Sequence, residues 1–183
     1  MTNDFLLIKN FFDNNYYKKI LEWVRTLRFI SGYTKSGKKI DRDQIWFDDK
    51  ERYFCKLWKQ TQERWKPHPY PKMLLDIQEK IKRVYDVDTC LINRYNSGKD
   101  TISAHKDNMI SFGETPTILI YSLGCTRTLR INRDNEKDSF CVNLPPNSMF
   151  IMSGDSQRFY THELIEDDTK ETRWSLTFRK FLG

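Results

Sequence analysis

The sequence predicts an α+β fold in which two N-terminal helices flank a β-sandwich or barrel of jelly-roll type. Apolar residues at helical spacing are confined to the first half of the chain. From Thr89 onward, short runs of β-branched and aromatic residues alternate with turn residues, which is typical of such sandwiches and barrels. The length of 183 residues suits a single domain, residues 1–183.

The two predicted helices cover residues 11–28 and 72–85. Asp13 or Asn14 can cap the first, and Pro71 precedes the second, so both starts carry a recognised signal. Their apolar stripes are expected to pack on a sheet. The predicted strands are residues 91–95, 117–123, 128–131, 140–144, 148–152, 159–165 and 173–181.

Composition indicates a soluble, moderately basic protein. Thirty-one Lys and Arg residues against 25 Asp and Glu give a formal net charge of +6, which favours polyanionic partners without requiring them. No transmembrane-length or secretory apolar run is visible, so we expect an intracellular protein without membrane contact. The four cysteines lack paired spacing and are expected to be free thiols. A self-contained domain of this size also suits a monomer.

The most informative pattern is His105-Lys106-Asp107 with His162 far downstream. In an extended strand, residues i and i+2 point to the same side, so His105 and Asp107 can share one metal ion. Two imidazoles and one carboxylate on one face of an octahedron leave three positions open, as in non-haem Fe(II) oxygenases. We therefore expect an iron site made by His105, Asp107 and His162. The third histidine, His68, lies between prolines and is expected to be structural.

The C-terminal strand alternates strictly between polar and apolar residues. Its polar face carries two arginines that could each hold a carboxylate in a bidentate manner, and its members are Arg173, Ser175, Thr177 and Arg179. If this face lines the interior, two buried guanidinium groups imply a dicarboxylate or matching protein acids. Alternation alone also permits an exposed strand with its arginines in water. Asn93 and Tyr95 add an amide and a hydroxyl on one face of another predicted strand.

Residues 33–68 differ from the rest of the chain. They contain ten Lys or Arg residues, six Asp or Glu residues and seven aromatic residues. This segment is the best candidate for a lid that faces the substrate. The alternative is an irregular hairpin that packs its aromatic rings inward.

Together these motifs resemble the AlkB family of Fe(II)- and 2-oxoglutarate-dependent nucleic-acid dealkylases. The resemblance rests on five segments in order, which are Leu91-Ile-Asn-Arg-Tyr-Asn-Ser-Gly, His105-Lys-Asp107, Ser122-Leu-Gly124, Phe159-Tyr-Thr-His162 and Arg173-Trp-Ser-Leu-Thr-Phe-Arg179. Weaker similarity upstream, at Asp41-Arg-Asp-Gln-Ile-Trp-Phe-Asp, is to the nucleotide-recognition lid of the DNA-repair members.

The resemblance implies a double-stranded β-helix and assigns the residues of the cofactor site. His105, Asp107 and His162 would hold Fe(II). Arg173 with Tyr95 would take the distal carboxylate of 2-oxoglutarate, and Arg179 with Asn93 would lie near the carboxylate beside the keto group. Ser175 and Thr177 could assist. The implied reaction consumes O₂ and 2-oxoglutarate, hydroxylates an N-alkyl carbon of a DNA or RNA base, and releases formaldehyde, CO₂ and succinate.

Such a reaction needs a base that is taken out of the stack and held between flat side chains. His105 could form one wall. The candidates for the other wall, in order of preference, are Tyr53, Phe54, Trp46 and Phe47. Phosphates could contact three lysines of the lid, Lys35, Lys38 and Lys39.

One departure from the family concerns the substrate. Family members often carry an acid two residues after the metal-binding aspartate, where it can meet a cationic alkylated base, but this chain has Met109 there. That change puts cationic 1-methyladenine and 3-methylcytosine in doubt, unless Glu114, Asp48 or Asp49 takes the role. The other functions considered are an oxygenase that acts on a protein side chain or small molecule, and a non-catalytic nucleic-acid-binding module.

Overall fold

The computed structural model describes residues 4–33, 37, 39–58, 63–136 and 138–183. The strands are β1 (Phe5–Ile8), β2 (Ile30–Tyr33), β3 (Lys39–Phe47), β4 (Pro67–His68), β5 (Thr89–Tyr95), β6 (Ile102–His105), β7 (Ile118–Gly124), β8 (Arg127–Arg133), β9 (Ser139–Leu144), β10 (Ser148–Met152), β11 (Tyr160–Leu164) and β12 (Arg173–Arg179). The helices are α1 (Asn14–Arg25), α2 (Lys72–Lys82), α3 (Met109–Phe112) and α4 (Ser156–Phe159), and short 3₁₀ turns span Lys56–Trp58 and Glu63–Trp65.

The strands form two sheets. The larger has the order β1-β10-β7-β12-β5-β3-β2, with β4 paired to β3, and the smaller has the order β6-β11-β8-β9. Pairing is antiparallel throughout except between β3 and β4. Two largely antiparallel sheets, with the two long helices packed on one face of the larger sheet, confirm the predicted α+β fold with a jelly-roll, double-stranded β-helix core.

Apolar side chains fill two layers. One cluster combines buried residues of α1 and α2 with residues of β5, β7 and β12, so the helices cover the outer face of the large sheet. A second cluster joins β7 and β10 to the smaller sheet through residues such as Ile120, Phe150 and Ile131. The sandwich interior is therefore apolar at the end formed by these strands. The polar site lies toward β5, β12 and β6.

Both predicted helices are present. The Asp13 carboxylate accepts a hydrogen bond from the backbone N–H of Tyr16 at 2.9 Å, which is the predicted N-terminal cap of α1. Pro71 precedes α2 as expected. Each helix ends three residues earlier than its apolar pattern suggested, because residues beyond the last regular turn still pack on the core.

Much of the first half of the predicted lid belongs to the large sheet. Residues 39–47 form β3, which pairs with β5 from Asp43 opposite Arg94 to Phe47 opposite Cys90. Trp46 is fully buried and Phe47 belongs to the main core cluster. This part of the segment is thus a strand of the large sheet. Its apolar end is buried between β5 on one side and β4 on the other. For these aromatic rings, the alternative of inward packing describes the structure better.

The structure also bears on the expectations for the cysteines and for membrane-spanning helices. All four cysteines are unpaired, and Cys141 alone among them is exposed. Within the described ranges, no helix is both long and apolar enough to cross a membrane.

Candidate metal and cofactor site

Two histidines and one aspartate converge where the small sheet approaches the large one. His105 ends β6, and its backbone lies directly opposite His162 of β11, which brings the two ring centroids to 4.3 Å. Asp107 follows in the loop after β6. One ligand atom from each of the three side chains lies within 4.8 Å of the others. Adjacent strands therefore create the cluster that the sequence pattern predicted.

The histidine rings are prepared to donate lone pairs. The Nδ1 of His105 lies 2.8 Å from the carbonyl oxygen of Ser103, to which it can donate, and this leaves Nε2 for a ligand. The Nδ1 of His162 is buried and has no hydrogen-bond partner among the residues that the structure describes. Burial lowers the pKa of His105, and burial with neighbouring His105 lowers the pKa of His162 to about 3. Both imidazoles are thus neutral at physiological pH, as metal ligands must be.

Asp107 is held by an arginine of the last strand. Its Oδ2 accepts a hydrogen bond from Nε of Arg179 at 2.6 Å, and its Oδ1 accepts one from Nη2 at 2.9 Å. Burial would raise the pKa of Asp107, but the charge and hydrogen bonds of Arg179, with His162, keep it below its usual value. The carboxylate therefore stays ionised. Each oxygen retains a further lone pair that can face a metal ion.

These three side chains fit a divalent iron ion. Two nitrogen donors and one carboxylate oxygen are the donor set of non-haem Fe(II) oxygenases. The buried, unsatisfied Nδ1 of His162 is a polar atom that the protein alone leaves without a partner.

A cavity of about 400 Å³ extends from the cluster along the inner face of β12. All four polar residues of that face line it: Arg173, Ser175, Thr177 and Arg179. The alternate residues Trp174, Leu176 and Phe178 pack in the main core beneath the helices. The strand therefore faces inward with its polar side, and the alternative of an exposed strand does not apply.

Arg173 is suited to an anionic ligand. Its side chain is 2% exposed, donates from Nη2 to the Oγ of Ser122 at 2.9 Å, and lies 5.4 Å from the ring centre of Tyr95. In the described part of the chain it has no acidic partner, and its Nε has no hydrogen-bond acceptor. Burying a guanidinium without a counter-charge costs desolvation free energy, so this position is suited to binding the carboxylate of a ligand.

Asn93 lies within a hydrogen-bonded row that crosses three strands. Its Oδ1 accepts from the side-chain amide of Gln44 at 2.7 Å, and its Nδ2 lies 3.5 Å from the Oγ of Ser175. The Oε1 of Gln44 in turn accepts from Nη1 of Arg64 at 3.1 Å. The row links Ser175 on the inner face of β12 to Arg64, which lines the same cavity.

Four lining residues from the predicted lid segment were not singled out from the sequence: Arg42, Gln44, Arg64 and Trp65. Arg42 and Gln44 share one face of β3, and the i, i+2 rule would have identified them if residues 39–47 had been recognised as a strand. Arg64 and Trp65 belong to a short 3₁₀ turn. No sequence pattern placed that turn beside the metal cluster.

Of the proposed base-wall residues, Phe54 lines the cavity, where its ring stacks on Trp65 with 4.4 Å between centroids. Trp46 and Phe47 do not line the cavity. Trp46 is buried, and its indole N–H donates a hydrogen bond to the Arg52 carbonyl oxygen, while Phe47 packs in the main core. Tyr53 lines surface grooves elsewhere.

Met109 starts α3, is 55% exposed and does not border the cavity. The acids that might replace the missing family acid are also placed elsewhere. Asp48 is buried in an ion pair with Arg52 at 2.7 Å, and Asp49 accepts a hydrogen bond from the backbone N–H of Tyr70. Glu114 borders a separate groove near the C-terminus.

The structure places neither Lys39, one of the three lysines proposed to bind phosphates, nor His68 in the cavity lining. Lys35 and Lys38 lie outside the described residues, and Lys39 is exposed at the start of β3. His68 ends β4, where its ring lies 6.1 Å from that of Phe47, so it has a packing role away from the metal cluster.

Comparison with known proteins agrees with this site. The family model of the 2OG-Fe(II) oxygenase superfamily matches residues 4–179. The chain is 27% identical over 149 residues to the DNA oxidative demethylase ALKBH2 of Arabidopsis thaliana, covering 68% of this chain and 48% of that protein. It is 25% identical over 145 residues to alkB homolog 3, an alpha-ketoglutarate-dependent dioxygenase of Homo sapiens, covering 73% and 49%.

A viral relative and a solved structure extend the comparison. Protein R406 of Acanthamoeba polyphaga mimivirus is 32% identical over 120 residues, covering 62% of this chain and 61% of R406. The structure of OsALKBH1 superposes with a TM-score of 0.70 over 98% of this chain and 99% of that one at 18% identity, which shows a shared fold. The chain spans about half the length of the ALKBH2 and alkB homolog 3 relatives. The chain belongs to the 2OG-Fe(II) oxygenase superfamily, as an AlkB-type member, and the cofactors of that superfamily are Fe(II), 2-oxoglutarate and O₂.

Proposed function

We propose that this protein oxidatively removes alkyl groups from bases of DNA or RNA, with Fe(II), 2-oxoglutarate and O₂. The observation that carries the proposal is one cavity that joins the His105, Asp107 and His162 cluster to Arg173, a buried guanidinium with no acidic partner in the described chain. A metal-binding end and a carboxylate-binding end within 400 Å³ suit a small dicarboxylate that also contacts the metal.

The protein's residues would bind and orient the reactants. Arg173 with Tyr95 would hold the distal carboxylate of 2-oxoglutarate, and Ser175 and Thr177 offer hydroxyl groups along the same strand face. Arg179 fixes the Asp107 carboxylate toward the histidines. When bound, iron and 2-oxoglutarate supply the oxidation of an N-alkyl carbon by O₂, with release of CO₂ and succinate and then formaldehyde.

The proposal of a nucleic-acid substrate draws on three features. The relatives named above include a DNA oxidative demethylase. The formal net charge is +6, which favours a polyanion. Phe54 and Trp65 place aromatic side chains in the cavity lining, which is typical of a pocket for a base that has left its stack.

The test is to incubate the protein with Fe(II), ascorbate, 2-oxoglutarate and single- and double-stranded oligonucleotides that carry different N-methylated bases. Mass spectrometry should show loss of one methyl group and an equal amount of succinate. Turnover of 2-oxoglutarate with no methyl loss from any oligonucleotide would contradict the proposal and favour a protein or small-molecule substrate.

Asp107→Ala should abolish methyl removal, because the metal would lose the one anionic ligand that the described residues of the protein supply, while oligonucleotide binding persists. The matched control is Asp76→Ala, which removes an exposed carboxylate of α2 that pairs with Lys72. Full activity in Asp107→Ala would contradict the assignment of Asp107 as a metal ligand. Oligonucleotide binding without any turnover in the wild-type protein would instead indicate a non-catalytic binding module.

A further inference from the structure

Two further arginines, Arg42 and Arg64, line the cavity in addition to those of β12. Arg42 projects from β3, and its Nη1 makes only a long contact of 3.4 Å to the Thr101 carbonyl oxygen. Its Nε is buried and has no hydrogen-bond acceptor among the described residues. Arg64 lines the same space from its 3₁₀ turn. A ligand that fills this cavity beside the metal cluster must therefore approach two guanidinium groups.

Arg64 is fixed in this position by its surroundings. It donates to Gln44, and its guanidinium carbon lies 4.4 Å from the ring centre of Trp65. Gly32 of β2 packs directly beneath it, since a Cβ at that glycine would lie 2.6 Å from the Cδ of Arg64. The arginine also occupies the aromatic surface of Trp65 on which a cationic base could otherwise gain cation–π attraction.

The acidic side chain in the described cavity lining is already ion-paired. Among the described lining residues, Asp107 is the single acid, and both of its oxygens are bonded to Arg179. The residues outside the description, which are 1–3, 34–36, 38, 59–62 and 137, include neither Asp nor Glu. Two positions beside Asp107 border the cavity: Asn108, which is neutral, and Lys106, which is a cation.

This electrostatic arrangement distinguishes two kinds of alkylated base. Bases methylated as in 1-methyladenine and 3-methylcytosine carry a positive charge and an amino group beside the methyl, so they meet arginines as like charges and as donors facing donors. Bases methylated as in 3-methyluracil and 3-methylthymine are neutral, and two carbonyl oxygens flank the methyl. Guanidinium groups are pure donors, so they complement the second kind.

We infer that the alkylated base accepted by this cavity is uncharged and presents carbonyl oxygens beside the N-alkyl group, with Arg42 and Arg64 as the residues that determine this specificity. The inference rests on the proposed function, because it names the base class within nucleic-acid dealkylation. It follows from the absence of a free acid in the described lining together with the unsatisfied donor of Arg42.

The first experiment compares two oligonucleotides that differ in one base, 3-methyluracil or 3-methylcytosine. The two bases have nearly the same shape and differ in charge and in the group at ring position 4. The expected result is that kcat/KM for methyl removal is at least about tenfold higher for 3-methyluracil. Equal or faster removal from 3-methylcytosine overturns the inference and leaves the proposed function intact. Removal from neither base, nor from any other methylated base, overturns both.

Asn108→Asp provides a test that changes charge with little change in shape. The Asn108 side chain caps α3 by accepting from the backbone N–H of Ser111 at 3.0 Å, and aspartate is an equally good cap. An acid here should raise the rate with 3-methylcytosine relative to 3-methyluracil by about tenfold. An unchanged ratio in a folded, active variant would contradict the electrostatic account.

Arg42→Gln and Arg64→Gln test the two residues individually. Each should move the ratio of the two rates toward one. If these arginines instead hold phosphates, both rates fall together and the ratio stays constant, which overturns their assignment. Arg83→Gln is the matched control, because it removes an exposed arginine at the end of α2, away from the cavity. The ratio is insensitive to a general loss of folded protein.

Discussion

Among individual residues, Arg179 has a role that its place in the sequence pattern did not reveal. The resemblance to the AlkB family assigns it to 2-oxoglutarate. In the structure it pairs with both oxygens of Asp107, and its guanidinium carbon lies 5.0 Å from the ring centre of Phe112. Its Nη1 is buried without a partner in the described chain. Arg179 is thus a positioning residue for the metal ligand, and one donor remains for a co-substrate carboxylate.

Arg179→Met should weaken metal binding by about 10- to 100-fold, because Asp107 loses the partner that orients it. Titration with Co(II), followed by its absorption spectrum, measures this affinity without turnover. Arg83→Met serves as the control and should bind as the wild type does. Metal affinity unchanged in Arg179→Met would show that the loop alone positions the aspartate.

At this scale the sequence was most informative where chemistry restricts residue type. Few residues can form an iron site or bind a dicarboxylate, so the triad and Arg173 were identifiable, and the structure brings them together. Arg42 and Arg64 could not be separated from other basic residues of a charged segment. Their positions depend on the pairing of β3 with β5 and on a turn without periodicity.

Among the elements, β12 combines two functions on its two faces. The inner residues line the cavity, while the outer residues pack under α1 and α2. The strand lies in the middle of the large sheet, between β5 and β7. Its backbone is therefore rigid, and the polar groups on its inner face are held at fixed spacing.

The two faces predict opposite phenotypes from adjacent substitutions. Leu176→Ala should lower the free energy of unfolding by about 2 to 5 kcal/mol, because it leaves a void under the helices. Thr177→Val should weaken 2-oxoglutarate binding several-fold, by about 1 kcal/mol for one lost hydrogen bond, with a much smaller change in stability. Urea unfolding and 2-oxoglutarate titration measure the two quantities. Similar stability losses in both variants would mean that the face of Thr177 is also core.

Prediction identified the strands from β5 onward except β6, and it missed the one-turn helices α3 and α4. Before β5 it identified only the two long helices. The later strands have alternating β-branched residues and clear turns, so local pattern sufficed. β3 begins with charged residues and β1 has four residues in all, so neither shows a period that distinguishes it from a loop. Their strand geometry comes from edges offered by β5 and β10, which lie far away in sequence.

For the whole molecule, the net charge of +6 predicts how nucleic acid should bind. Association with an oligonucleotide should weaken at least about tenfold between 50 and 200 mM salt, because counterions are released when phosphates meet lysines and arginines. Fluorescence anisotropy with a labelled oligonucleotide measures the slope of log affinity against log salt concentration. An affinity independent of salt would indicate that binding is not driven by phosphate contacts.

The row from Arg64 through Gln44 and Asn93 to Ser175 has a thermodynamic consequence. A base that competes with Gln44 for the Arg64 guanidinium would change the hydrogen bonding of Asn93, and so the affinity of the cavity for its dicarboxylate. Linkage requires the reverse effect to be equal: the factor by which 2-oxoglutarate alters oligonucleotide affinity equals the factor by which the oligonucleotide alters 2-oxoglutarate affinity. Gln44 would thus make the binding of the two ligands interdependent, although no residue need touch both of them.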